Sequence, residues 1–175
     1  MTTTPSTTAE HPHGLWEEPG AARRLQLLRG AKSVAIVGMS DKPSRSSYFV
    51  ATYLKADSSY RLYWVNPGLV GKTVLGKPGY ASLKDLPEVP DVVVAFRKPA
   101  DLPGVAEDAA EVGAKVMWAQ LGLKNEEAMQ RATDLGLSAV QNRCIKIEHG
   151  RFHGNLHLGG FDTGVISAKR QLLDR

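Results

Sequence analysis

The sequence has only one cysteine, Cys144, among its 175 residues. An internal disulfide is therefore excluded, and so is a cysteine-based zinc finger, because both need at least two thiols. A lone cysteine between apolar neighbours is typical of a buried position, and we predict a structural role for Cys144. This cysteine usage fits a reducing compartment, which leads us to expect a cytoplasmic protein.

Long apolar runs are also missing. No stretch approaches the roughly 18 apolar residues of a membrane span, and the N-terminus lacks a basic start followed by an apolar run. We therefore expect neither membrane insertion nor secretion. The 22 basic and 18 acidic residues give a net charge of +4, which permits an anionic partner. The basic residues are scattered without a recognised motif, so nucleic-acid binding ranks last among the candidate functions.

The composition predicts one folded domain. Hydrophobic residues make up 42% of the chain and charged residues 23%, which is ordinary for a globular protein of this length. Residues 1–14 are rich in Thr, Pro and His, and we interpret them as a flexible tail. We assign residues 15–150 to the domain and residues 151–175 to a C-terminal extension that packs on the domain or on a partner.

Five apolar runs predict strands. Because their apolar residues do not alternate with polar ones, the runs are typical of parallel strands that are covered on both faces. Amphipathic segments with cap residues lie between them, for example after Asp101 and before Gly113. This alternation predicts a Rossmann-like α/β fold: an open, doubly wound, mainly parallel five-stranded sheet with helices on both faces. The predicted strands are residues 34–37, 62–65, 92–96, 116–118 and 138–140, and the predicted helices lie near 21–30, 47–55, 102–112 and 125–135.

The turn after the first predicted strand is a candidate anion site. In an open parallel sheet, ligands bind beyond the carboxyl ends of the strands, near the point where the strand order reverses. This turn contains Gly38, Ser40, Lys42 and Arg45 and leads into a helix. Small residues let backbone N–H groups approach an anion, and the helix N-terminus and the two cations add positive charge. The turn predicts a phosphate site; a polar turn whose serines only cap the helix is the alternative.

Two specific nucleotide-binding fingerprints are absent. The first strand is not followed by G-x-G-x-x-G, and Gly-Lys-Thr at 71–73 lacks the upstream glycine and the helix start of a P-loop. After the second strand, Asn66, Pro67 and the nearby Lys72 stand where an NAD-binding protein usually places an acidic residue. A neutral donor and a cation favour a phosphorylated ribose over a free diol, with a simple turn as the alternative.

The third and fourth strands end in further candidate contacts. Phe96, Arg97 and Pro99 follow the third strand, where a ring and a guanidinium can stack on a base or bind phosphate. The alternative is that the ring ends the core and the cations are solvated. Gln120 and Gly122 follow the fourth strand and offer an amide side chain and a close backbone approach.

Three histidines raise the question of a metal ion. His149, His153 and His157 are spaced four residues apart, which on a helix would align them as ligands. Four glycines between residues 150 and 160 argue against such a helix. We therefore expect ordinary histidines and no metal site.

Five segments of the sequence form a combination that is specific in content and order. They are Val-Ala-Ile-Val-Gly-Met-Ser at 34–40, Val-Asn-Pro at 65–67, Phe-Arg-Lys-Pro at 96–99, Trp-Ala-Gln-Leu-Gly at 118–122 and Asn-Arg-Cys-Ile-Lys-Ile-Glu-His at 142–149. With them the chain resembles, over roughly residues 31–149, the CoA-binding domain family. These are small stand-alone proteins similar to the N-terminal domain of the succinyl-CoA synthetase alpha subunit.

The resemblance implies a Rossmann-like fold that holds the ADP portion of coenzyme A, or of an acyl-CoA, across the strand ends. A 3′-phosphate on the ribose also explains why no acidic residue follows the second strand, since a carboxylate would repel it. By resemblance, Gly38 and Ser40 would meet the pyrophosphate, with Lys42 and Arg45 nearby. Asn66 and Pro67 would border the ribose phosphate. Phe96, Arg97 and Pro99 would line the nucleotide, and Gln120 and Gly122 would face the pantetheine.

One departure from the synthetase pattern favours binding over catalysis. The synthetases carry a phosphorylated histidine on a separate domain and work with an ATP-grasp partner subunit, and 175 residues leave no room for either. No nucleophile and base stand together with supporting context, so we expect a binding or regulatory protein without catalytic residues. The alternatives are an NADP-binding oxidoreductase-type domain and a detached subunit of an acyl-CoA ligase. A homodimer or an unidentified protein partner stays open.

Overall fold

All five apolar runs form strands, and they lie side by side in one sheet. The structure is a computed structural model that describes residues 11–153. Each of these strands pairs in parallel with its neighbours in the set, as expected for runs buried on both faces. The Rossmann-like α/β class is confirmed. The five strands are β1 (Ser33–Val37), β2 (Arg61–Val65), β5 (Val92–Ala95), β6 (Val116–Ala119) and β7 (Ser138–Val140).

The sheet has seven strands, so the predicted number of five is wrong. The additional strands, β3 (Thr73–Val74) and β4 (Lys77–Tyr80), form a hairpin inside the long connection after β2. β4 lies parallel to β2, and the order across the sheet is β3-β4-β2-β1-β5-β6-β7. The hairpin has no apolar run, and its proline and glycine lower strand propensity. The glycine, Gly79, is required by packing, because a Cβ there would collide with Leu69.

The strand order reverses around β1. The chain passes from β1 to β2 on one side and returns to β5 on the other. Val37, at the end of β1, lies opposite Val65 of β2 and Ala95 of β5, so three carboxyl ends meet at one edge. This edge is the topological switch point, the place where open α/β sheets bind their ligands.

Helices cover both faces of the sheet, as predicted. They are α1 (Ala21–Gly30), α2 (Ser46–Asp57), α3 (Leu102–Glu111), α4 (Glu126–Asp134) and α5 (Ile145–His153). On one face α1, α2 and α5 bury Leu28, Leu54 and Phe152 in a common core. On the other face α3 and α4 pack through small side chains such as Ala106 and Ala132. At the carboxyl edge of the sheet, the connecting loops meet the start of α2.

The helix α5 corrects an expectation from the sequence. The argument from the glycines is wrong for the first part of this segment, because α5 runs through Gly150 to His153, and it stays a prediction for residues 154–160, which lie outside the described residues. Buried contacts outweigh the roughly 1 kcal/mol that a glycine costs inside a helix. Gln120 accepts a hydrogen bond from the N–H of Ile145 at 2.8 Å, and Glu148 pairs with Arg24 of α1 at 2.8 Å. The first two of the three evenly spaced histidines lie in α5, and the third lies outside the described residues.

The segment before α1 covers the edge strand β7. Trp16 is held at two points, since its backbone N–H donates to Gln130 at 2.8 Å and its indole N–H donates to the carbonyl of Ala139 at 3.0 Å. At the end of the predicted tail, the His11 ring is hydrogen-bonded to Asp134 of α4 at 3.1 Å. Residues 1–10 of the predicted tail and residues 154–175 of the predicted extension lie outside the described residues. Across residues 11–153, none of the helices has the length and apolar character needed to cross a membrane.

Candidate ligand-binding site

The loop between β1 and α2 is packed against the end of β5 by a glycine. Gly38 adopts the left-handed conformation with φ of +84°, and a Cβ on it would collide with the carbonyl of Phe96. Its N–H donates to the carbonyl of Val65 at 2.9 Å, while the N–H of Phe96 donates to the carbonyl of Val37 at 2.8 Å. Gly38 thus brings the turns after β1, β2 and β5 together, which any larger side chain would prevent.

Two serines shape the rest of this loop. The buried hydroxyl of Ser47 accepts a hydrogen bond from the N–H of Ser40 at 3.1 Å, and the hydroxyl of Ser40 accepts one from the N–H of Lys42 at 3.1 Å. The loop leads into α2, whose N-cap position is Arg45. The side chains of Lys42 and Arg45 are exposed beside the positive end of a 12-residue helix.

The turn after β2 is built around Asn66. Its side-chain amide donates to the carbonyl of Met39 at 2.8 Å, and its side-chain oxygen accepts from the N–H of Gly68 at 2.9 Å. Asn66 therefore ties this turn to the β1–α2 loop. A second tie is the exposed pair of Lys72 and Asp41, with the two charged groups 3.1 Å apart. The hydrogen bond and the positive charge of Lys72 hold the pKa of Asp41 below its ordinary value.

Arg97 lies between two clefts at the switch point. The first, here called the polar cleft, has a volume of about 430 Å³ and the second, the apolar cleft, about 480 Å³. Arg97 borders both of them and pairs with Asp101 at 3.3 Å. Of the predicted site residues, the polar cleft also brings together Gly38, Asn66 and Pro67, and the apolar cleft brings together Phe96, Pro99 and Gln120.

The other predicted site residues line neither cleft. Ser40, Lys42 and Arg45 belong to the loop that begins at Gly38. Lys72 reaches that loop through Asp41. The fifth residue outside the clefts is Gly122, whose left-handed backbone, with φ of +86°, donates to the side chain of Asn142 at 2.8 Å.

Gln120 serves the framework of the site. Its side-chain oxygen accepts the hydrogen bond from Ile145 at the start of α5, and its side-chain nitrogen lies 3.7 Å from the sulfur of Cys144. Gln120 is buried at the end of β6, as is Cys144 just before α5. The prediction that Cys144 is buried is confirmed. The structure also places Cys144 on the apolar cleft, which the sequence did not predict.

Sequence reasoning missed most of the walls of the apolar cleft. Phe49 and Val50 lie on α2, where their helical spacing indicates core packing and nothing more. Leu121 and Leu123 follow β6. Leu121 lies between the predicted site residues Gln120 and Gly122, and Leu123 comes directly after Gly122. Their position after a parallel strand is the signal that could have identified them. Asp101 and Asp108, which line the polar cleft, were also missed.

The fold and these clefts define a class of protein: a Rossmann-like α/β domain with an open cleft at the switch point of its sheet. A model of the CoA binding domain matches residues 32–150. The chain therefore belongs to the CoA-binding domain family, which confirms the resemblance seen in the sequence.

Similar proteins extend over nearly the whole domain. The uncharacterized protein YneT of Bacillus subtilis (strain 168) is 38% identical over 133 residues, which are 76% of this chain and 96% of YneT. A hypothetical protein from Pyrococcus horikoshii OT3 is 35% identical, with a TM-score of 0.70 over 88% of this chain and 100% of that chain. A dinucleotide-forming acetyl-coenzyme A synthetase from Ca. Korarchaeum cryptofilum is 24% identical, with a TM-score of 0.54 over 63% of this chain and 26% of the synthetase chain. The matched part of the synthetase shares the fold of this protein.

Proposed function

We propose that this protein binds coenzyme A or an acyl-CoA through the ADP portion of the ligand, as a binding or regulatory protein rather than an enzyme. The observation that carries the proposal is the position of Arg97, which borders both clefts at the switch point. A guanidinium there can contact the phosphates of a ligand that extends into both clefts. Membership of the CoA-binding domain family supports the same ligand.

The start of α2 supports a ligand that carries a diphosphate. Ser46, the first residue of the helix, lines the apolar cleft, so the positive end of the helix dipole lies at the ligand space. Arg45 precedes it, and Lys98 lines the same cleft beside Arg97. The helix end and the two cations that line this cleft, Arg97 and Lys98, attract a polyanion.

The end of β2 supports a phosphorylated ribose. Asn66 and Pro67 border the polar cleft at the position where an acidic residue would bind a free ribose diol. Lys72 is paired with Asp41 in an exposed ion pair, which contributes little to stability. Lys72 can therefore exchange its carboxylate partner for a phosphate at low cost, in keeping with the 3′-phosphate of coenzyme A.

Two observations support binding rather than catalysis. The buried candidate groups of the apolar cleft, Gln120 and Cys144, are engaged with each other and with the start of α5. The ligase activity named for the acetyl-coenzyme A synthetase belongs to a chain of which this protein matches 26%. We therefore carry over the ligand and not the reaction.

Calorimetric titration with coenzyme A, 3′-dephospho-coenzyme A and NADP at one salt concentration tests the proposal. We expect coenzyme A to bind, and the dephospho form to bind about tenfold more weakly or worse, because it lacks a charge-assisted phosphate contact. We expect no binding of NADP. A preference for NADP, or no heat with any of the three ligands, would contradict the proposed function.

A further inference from the structure

The two clefts beside Arg97 differ in chemistry. The polar cleft contains the carboxylates of Asp101 and Asp108. Among the described residues, no carboxylate lines the apolar cleft, although Arg97 and Lys98 are exposed on its border. Six of the residues that line it are apolar: Phe49, Val50, Phe96, Pro99, Leu121 and Leu123.

The walls of the apolar cleft come from separate parts of the fold that meet at the switch point. They are provided by α2, by the loop after β5 and by the loop after β6. The volume of about 480 Å³ falls within the range of roughly 300–1,000 Å³ that is usual for small-molecule sites. Leu121 is 40% exposed, so its apolar side chain is accessible to a ligand in the cleft.

The buried polar groups of the apolar cleft are partly engaged by the fold. The side-chain oxygen of Gln120 accepts from the N–H of Ile145 at 2.8 Å, and its nitrogen lies 3.7 Å from the sulfur of Cys144. A carboxylate at the buried end would exchange its water for the neutral side-chain N–H groups of Gln120, which do not replace full hydration. An alkyl chain would lose no hydrogen bonds and would gain apolar contact with the walls.

We propose that the apolar cleft takes the acyl end of the ligand, and that the protein selects acyl-CoA molecules with an uncharged alkyl chain over free coenzyme A and over acyl groups that end in a carboxylate. This inference rests on the proposed function, because the phosphates must first be bound beside Arg97. The cations at the border of the cleft and its apolar lining match a ligand whose phosphates lie at the border and whose pantetheine arm and acyl group extend into the cleft.

Titration of the full chain with coenzyme A and with its acetyl, butyryl, hexanoyl and succinyl thioesters tests this selection. Each methylene buried in the cleft is expected to improve the affinity about fourfold until the cleft is full. Butyryl-CoA and succinyl-CoA have chains of equal length, and we expect the succinyl form to bind at least tenfold more weakly. Equal affinities across the alkyl series, or succinyl-CoA binding as well as butyryl-CoA, would overturn the inference.

A matched pair of variants assigns the selection to the apolar cleft. Leu121→Ser removes an apolar side chain from the cleft at a position that is 40% exposed. Leu135→Ser makes the same change just after the end of α4, at a position that is 39% exposed and lines neither cleft. We expect Leu121→Ser to reduce the preference for hexanoyl-CoA over coenzyme A roughly fivefold, and Leu135→Ser to leave it unchanged. An unchanged preference in both variants would contradict the assignment.

The same titrations separate this inference from the proposed function. Binding of coenzyme A without any gain from an alkyl chain overturns the acyl selectivity and leaves the proposed function standing. No binding of coenzyme A or any thioester overturns both. A gain along the alkyl series that is lost in Leu121→Ser supports both.

Discussion

At the scale of single residues, the switch point combines fixed and exchangeable side chains. Asn66 is fixed, because backbone groups of Met39 and Gly68 occupy both ends of its amide. Arg97 is exchangeable, because its partner Asp101 is 3.3 Å away in a pair whose side chains are both nearly half exposed. Such a pair contributes about 0–1 kcal/mol. A phosphate can therefore replace Asp101 at Arg97, whereas Asn66 positions the turn.

The first residue-scale prediction concerns Arg97→Ala. If Arg97 makes a charge-assisted phosphate contact, its removal weakens coenzyme A binding by about 1–3 kcal/mol, measured by calorimetry. Arg131→Ala is a suitable control, because Arg131 forms an exposed pair with Glu107 at 3.2 Å and lines neither cleft. Unchanged affinity in Arg97→Ala, or an equal loss in the control, would remove Arg97 from the site.

At the scale of elements, α5 is held in place by side chains from two other parts of the fold. Its amino end is held by Gln120 at the end of β6, and its middle is held by Arg24 of α1 through Glu148. Both charged side chains of that pair are almost fully buried, with 6% and 3% exposure. Arg24 also donates to the carbonyl of Pro19 at 2.6 Å. The site is affected too, because Cys144 and the apolar cleft lie at the start of α5.

Removing the charge of Glu148 therefore has a large expected effect. Glu148→Gln leaves the guanidinium of Arg24 buried without its counter-charge, which costs about 3–5 kcal/mol. In urea unfolding, the free energy of unfolding should fall by that amount. Glu107→Gln, which breaks the exposed pair with Arg131, should change it by less than about 1 kcal/mol. Similar losses of unfolding free energy in the two variants would show that the buried ion pair stabilises the fold no more than the exposed one does.

The elements also show which features a sequence can predict. β1 and β5 were predictable because burial on both faces leaves an unbroken apolar run. β4 and α5 were not, because one pairs around a glycine and the other is held by a buried ion pair between distant residues. The same division holds at the site. Loop residues such as Arg97 follow directly from strand ends, whereas Phe49 on α2 shows its role only once the elements are packed.

At the scale of the whole molecule, one carboxylate joins the starting ends of three strands. Asp91, just before β5, accepts hydrogen bonds at 2.8 Å from the backbone N–H of Lys32 and from the side chain of Lys115, which precede β1 and β6. Burial by itself raises the pKa of Asp91. Two opposing causes outweigh it: the hydrogen bond and positive charge of Lys115, and the hydrogen bonds from the backbone N–H groups of Lys32 and Ser33. The pKa of Asp91 therefore lies below its ordinary value.

The sign of this shift predicts how stability depends on pH. A carboxylate whose pKa is lower in the folded state stabilises the fold above its unfolded pKa, and this stability is lost as the pH falls through the folded value. For Asp91 the loss begins near the ordinary value of 3.8 and continues below it. We expect Asp91→Asn to lower the free energy of unfolding by about 1–2 kcal/mol at pH 7 and by less at pH 3. An equal loss at both pH values, measured by urea unfolding, would contradict this account.

The ion pair between α1 and α5 also bears on the order in which the chain matures during synthesis. Arg24 and Glu148 are separated by 124 positions. On the ribosome, α1 is translated early and its buried arginine must wait for a glutamate that is translated near the end of the domain. A guanidinium without its counter-charge resists burial, so we expect α1 to complete its docking only after α5 has been made. A chain truncated before α5 is therefore expected to leave α1 undocked.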